Sequence, residues 1–221
     1  MNFMSFSLGG KKKAPKSKPT TSGPNNKPLF LCNPFVSNML VKGSFKTIVE
    51  LPKYVDANEW LAFNTFEFFT YINLFYGSIA DFCTIQSCPS MSGGPGIEYT
   101  WTDAQSKKMK LPASQYVDFM ATSIQNTLND ETLFPTKAGR DFPRELPIVV
   151  RKIYSQLFRV FAHIYYHHYE KVLSLHEEGH FNSLFAHFIS FAKEFDLLDK
   201  KETAPLQELI DVMERNGVIA A

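Results

Sequence analysis

The 221-residue chain is 44% hydrophobic and 20% charged, the make-up of a soluble globular protein. Its 21 Phe, 9 Tyr and 2 Trp can fill a large core, which excludes whole-chain disorder, and its 3 Cys are too few for a disulfide-rich secreted scaffold. No apolar run approaches the ~20 residues of a bilayer span, and MNFMSFSLGGKKK lacks the hydrophobic core of a signal peptide, so a reduced, intracellular, soluble domain is expected.

Charge divides the chain. Residues 1–28 carry Lys11, Lys12, Lys13, Lys16, Lys18 and Lys27 and no acid, so against a formal net charge of +1 the remaining residues carry −5. That segment is rich in Pro, Ser and Gly and reads as a disordered basic tail. The acidic body argues against a nucleic-acid platform and suits a partner with a basic surface.

An arm follows over 29–55, apolar but interrupted by Pro34, Gly43 and Pro52, with room for one short helix. The main domain is expected over 56–221. Asp56 is a candidate N-cap, and Glu59 three residues later completes a capping box. The helix expected over 57–82 is apolar nearly all round, the pattern of a central core helix. After the loop CTIQSCPSMSGGPG, short strands around 99–101 and 108–111 predict a hairpin. Further helices are expected over 112–128, 147–175, 178–195 and 205–216. The fourth of these five helices carries the stripe Phe181, Leu184, Phe185, Phe188 and Phe191. The whole reads as a mainly α bundle with one small hairpin.

Cys83 and Cys88 close the first long helix, and FAHIYYHHY places His163, His167 and His168 on the third. Two thiolates and two imidazoles suffice for a tetrahedral structural zinc, which would staple a loop to a helix. Helix geometry favours His163 with His167, neighbours at i and i+4. His163 and His168 stand about 140° apart on an ideal helix. Zinc sites with three to five residues between histidines nevertheless permit that pair.

His176-Glu177-Glu178-Gly179-His180 matches HExxH, in which two His hold a catalytic zinc and Glu is the general base. A zinc peptidase is thus the enzyme alternative. Gly179 weakens a helix there, and the extended motif needs Gly at 183 and His at 186, where the chain has Ser183 and Ala186. His187 comes one residue late. No P-loop, GxGxxG or GxSxG is present, and no catalytic residue is expected.

The segments NEWLAFNTFEFFTYINLFYGSIADFCT, CPSMSGGP, YTWTD, LPASQYVDF, DETLFPTKAGRDFP, LFRVFAHIYYHHY and HFNSLFAHFISFAKEFDLLDKKETAPLQELI together resemble the Mob (Mps-one-binder) family over roughly 45–215. The arm is similar to the fungal branch that partners NDR kinases in cell-polarity signalling. The resemblance implies a helical bundle with a hairpin and one structural zinc (Zn2+) held by Cys83, Cys88, His163 and His168. It implies a non-catalytic co-activator of an NDR/LATS-type kinase, bound to the kinase's basic N-terminal extension as a heterodimer. A Mob-fold adaptor without kinase activation is the second reading. Cytoplasmic location, with the cell cortex, growth sites and nucleus, is implied too, as is a role in morphogenesis. Neither nucleic acid nor stable membrane insertion is expected.

Partner contacts are expected from Asp56, Glu59, Trp60 and Glu67, with Phe35 and Val36 from the arm. Asp56 and Glu67 lie within about 20° in helical phase, so both can face one partner. Three basic residues that bind phosphothreonine in the LATS-pairing branch correspond to Ser155, Gln156 and Arg159. Only Arg159 remains, with Lys152 one turn earlier, so phosphopeptide docking is not expected in its usual form.

Overall fold

A computed structural model describes residues 27–103, 105–137 and 139–220. The basic tail, apart from Lys27 and Pro28, lies outside the described residues. The helices are α1 (Lys46–Val49), α2 (Ala57–Ile79), α3 (Ala113–Leu128), α4 (Leu146–His167), α5 (Tyr169–Ser174), α6 (Glu178–Glu194), α7 (Lys200–Thr203) and α8 (Gln207–Arg215). Strands β1 (Trp101–Thr102) and β2 (Lys108–Met109) form an antiparallel pair with Trp101 opposite Met109. Within its turn, Asp103 Oδ1 accepts from the Gln105 and Lys107 amides.

Asp56 starts α2 as expected: its Oδ1 accepts from the Asn58 and Glu59 amides at 2.8 and 3.2 Å. That satisfies two of the donors a helix start leaves unpaired. The central helix is α4 rather than α2. Val160 to Tyr165 are buried without a break; α2, α3, α5 and α7 pack against the helix, and the rings of α6 meet it. The apolar stripe of α6 turns inward as expected: Phe161 meets Phe181, Phe185 and Phe188 at 5.1 to 5.5 Å between ring centroids. Helix α2 instead keeps an apolar outer face, where Phe63 is 57% and Leu74 67% exposed. Its sequence is apolar all round because one face meets α4 and the opposite face remains on the surface.

The arm is folded onto the bundle. It forms 3-10 turns at Leu29–Leu31 and Phe35–Ser37 before α1. Phe30 packs its ring against Tyr165, Tyr166 and Tyr169. Asn182, buried in α6, donates to the carbonyls of Phe35 and Asn38 at 2.8 and 3.0 Å and accepts from the Tyr165 hydroxyl. A buried amide with these partners repays its desolvation and fixes the arm's register.

Two expected helices are divided. The segment 147–175 breaks at His168, whose backbone (φ −130, ψ 6) leaves the helical region before α5 begins. The last helix is preceded by α7, capped by Asp199, and by a 3-10 turn at Ala204–Leu206.

Candidate metal centre and partner surface

Helix α2 ends in a 3-10 turn, Ala80–Phe82, that delivers Cys83. A tight loop returns the chain to Cys88. The Thr84 amide donates to Ser87 Oγ (2.9 Å), the Ser87 amide to Thr84 Oγ1 (3.1 Å), and the Cys88 amide to the Thr84 carbonyl (2.8 Å). These bonds bring the widely spaced cysteines to one point. On the other side stand His163, inside α4, and His168, at its end. Cys83 Sγ lies 3.4 Å from His163 Nε2, and Cys88 Sγ 3.4 Å from His168 Nε2. All four donor atoms lie within 4.8 Å of one another, and all four residues are buried.

The donor set fits zinc. Bond lengths of about 2.3 Å to sulfur and 2.0–2.1 Å to nitrogen give a tetrahedral S···N edge of about 3.5 Å. The tautomer is also set: His163 Nδ1 faces the Ser92 carbonyl at 2.9 Å, leaving Nε2 for an ion. The neighbouring Cys88 and burial push the Cys83 thiol up, while Cys83 and the two imidazoles hold Cys88 toward the thiolate.

The break in the helix brings His168, rather than His167, to the cysteines. Leaving the helical path at His168 cancels the angular penalty of a five-residue spacing and turns its Nε2 to the cysteines. His167 instead bonds Ser92 Oγ at 2.6 Å and stacks on His163 at 4.8 Å. Burial, with His163 nearby, lowers its pKa to about 4 and keeps it neutral near pH 7.

The HEEGH pentapeptide makes no metal site. His176 occupies a turn at φ 58, Glu177 precedes α6, and only His180 lies within the helix. His180 Nδ1 pairs with Glu177 instead, at 2.9 Å on the surface. His187 stacks on Phe45 and meets Phe68 edge-on, packed between aromatic rings. Among the described residues, Cys83, Cys88, His163 and His168 are the only cluster of three or more potential metal donors.

Asp56 and Glu59 are exposed at the start of α2, and Glu67 is half-buried with Tyr71 hydrogen-bonded to it. Trp60 is half-buried. Its Nε1 donates to the Val49 carbonyl at 3.2 Å, and its ring lies between Phe63 and Phe191. It clamps the arm onto the bundle. Phe35 is half-buried, whereas Val36 is 6% exposed. Val36 therefore belongs to the core, and its expected role as a partner anchor is corrected: its methyls are already spent inside. Phe63 and Phe66, not singled out from the sequence, are exposed on α2. They border a cleft of about 510 Å³ with Glu59, Phe134, Arg140 and Phe142. Their i, i+3 spacing between Glu59 and Glu67 was the available signal.

Arg159 and Lys152 line a second cleft of about 540 Å³ with Ser155 and Gln156. Arg159 donates to the Tyr116 hydroxyl at 3.0 Å, pairs with Glu202 at 3.4 Å and lies over the Tyr99 ring. Its charge is already matched by Glu202.

A model of the Mob1/phocein family matches residues 37–206. The CBK1 kinase activator protein MOB2 of Saccharomyces cerevisiae is 54% identical over 191 residues, 86% of this chain and 67% of that protein. The maintenance of ploidy protein mob2 of Schizosaccharomyces pombe is 51% identical over 201 residues, 90% of this chain and 82% of its own length. The CBK1 kinase activator protein MOB2 of Candida albicans is 50% identical over 87% of this chain and 61% of its own length. With the family model covering most of the bundle and half of all aligned residues shared with these proteins, the chain belongs to the Mob1/phocein family, and two of these relatives are named as kinase activators.

Proposed function

We propose that this protein is the regulatory subunit of an NDR/LATS-type serine/threonine kinase and activates it by binding the kinase's basic N-terminal extension. The observation that carries the reading is the 54% identity to a protein named as a kinase activator. The outer face of α2 supports it. Asp56, Glu59 and Glu67 would steer a basic helical segment, while exposed Phe63 and Phe66 supply apolar contact. Trp60 holds that face against the arm. Binding orders the extension and shifts the kinase toward its active arrangement, a change of population.

Zinc is the metal proposed for Cys83, Cys88, His163 and His168. When bound it supplies a structural cross-link and no catalysis. The chain's own part is to hold the end of α2 against α4, which stiffens the helix that faces the kinase. The protein is placed in the cytoplasm and nucleus, with the cell cortex and growth sites where polarity kinases act.

The test is a titration of the purified protein against the kinase's N-terminal extension at two salt concentrations. Tight binding that weakens with salt, and weakens further in Glu59→Lys and Glu67→Lys, is the expected result. No binding by the folded, zinc-loaded protein would overturn the reading and leave a Mob-fold adaptor.

A further inference from the structure

We infer that Ser92 and His167 are positioning residues for the metal: together they hold the His163 ring in its ligating orientation from edge and face at once. The inference rests on the zinc reading above and extends it to residues that donate no ligand.

Three contacts carry it. The Ser92 carbonyl lies 2.9 Å from His163 Nδ1, on the side of the ring away from Cys83. Ser92 Oγ lies 2.6 Å from His167 Nε2. The His167 ring stacks on His163 at 4.8 Å with an interplanar angle of 30°. The three residues close a circuit. His163 bonds the serine backbone, the serine side chain bonds His167, and His167 covers His163.

The circuit also fastens the Cys loop. Ser92 sits four residues after Cys88, bridged across to Glu98, between the Met91 amide bonded to the Leu111 carbonyl and the Gly93 amide bonded to the Ile97 carbonyl. Neither neighbouring glycine has room for a side chain. A Cβ at Gly93 would lie 2.4 Å from the Tyr99 hydroxyl, and one at Gly94 2.9 Å from the Tyr166 ring. These backbone bonds and close contacts hold the loop in one register, so the Ser92 carbonyl is a well-placed acceptor. A fixed acceptor selects the tautomer with Nε2 free, which a metal needs.

The hydroxyl and the ring act in series, which separates this role from mere packing. Ser92→Ala removes the hydroxyl and keeps the carbonyl. His167→Phe keeps a stacking ring and loses the bond. Each is expected to weaken zinc binding about 10-fold, the lower end of what outer ligand partners contribute, and the double variant no further than either single one. Ser92→Thr keeps the hydroxyl and is expected to retain wild-type affinity.

The measurement is chelator competition for zinc on the full chain, with far-UV circular dichroism to establish that each loaded variant is folded. Cobalt substitution adds a spectroscopic reading: thiolate-to-metal bands retained, with ligand-field bands shifted in the variants. Affinities of Ser92→Ala and His167→Phe within twofold of wild type overturn the inference while leaving the zinc site standing. Additive losses in the double variant also overturn it, since they mean two independent packing defects. A wild-type protein that binds no zinc overturns both readings together.

Discussion

The run ending α4 and the HEEGH pentapeptide leading into α6 both offer histidines and are close in sequence, yet only the first brings its donors together. In the first, His163 and His168 are buried and aimed at two cysteines delivered by a bonded turn. In the second, His176 and His180 are exposed and stand on opposite sides of a helix start. A motif specifies chemistry only where backbone geometry makes its donors converge. HExxH requires an unbroken helix through both histidines, and a residue at φ 58 in the first position forbids it.

The largest expected effect tests the convergent site. Replacing Cys83 and Cys88 together by Ser removes both sulfurs. Because metal-binding energy is folding energy, a loss of about 3–5 kcal/mol is expected, which for a chain of this length lowers the melting temperature by roughly 10 °C. Thermal melts with and without zinc measure it. Loss of kinase binding with an unchanged melt would mean that the cysteines act at the interface instead.

Separating the two adjacent histidines sharpens the contrast within one run. His168→Ala is expected to abolish retention of zinc after dialysis, whereas His167→Ala retains one equivalent with weakened affinity. Elemental analysis reads both, and the reverse ranking would restore His167 as the ligand.

A smaller effect concerns His187, the late histidine of the second motif. Burial lowers its pKa below the usual 6.5. The unfolded chain therefore binds this proton at a higher pH than the folded one, so stability falls as pH drops below about 6.5 and continues to fall toward the folded value. His187→Phe, which keeps an aromatic ring against Phe45 and Phe68, should flatten that part of the stability–pH curve in denaturant titrations. An unchanged slope would assign the acid sensitivity to other groups.

The smallest effect closes the comparison. His176→Ala and His180→Ala are exposed changes that break at most one surface pair, so stability should stay within about 0.5 kcal/mol and zinc content unchanged. A loss of zinc in either would reinstate the second motif.

Much of this arrangement was legible beforehand. The Asp56 cap, the inward stripe of α6 and the hairpin follow from local rules: a side-chain acceptor ahead of orphan amides, a 3.6-residue period, and turn residues between short strands. The Cys and His donors were legible as residue types. The outward face of α2 was not. An apolar helix reads as central whether its second face meets the core or awaits a partner, and only the packing of α2 against α4 tells the two apart.

By itself, then, the sequence determined where the long helices lie, which residues can bind a metal and that the chain resembles a family of kinase partners. Tertiary structure alone decided that α4 is the central helix, that Trp60 holds the arm and Val36 is buried, and that His168 rather than His167 meets the cysteines. The physical reason is common to all three. Periodicity and capping act within a few residues, whereas burial and ligand direction depend on how separate segments meet, and one non-helical residue at the end of α4 redirects a side chain that local spacing had placed elsewhere.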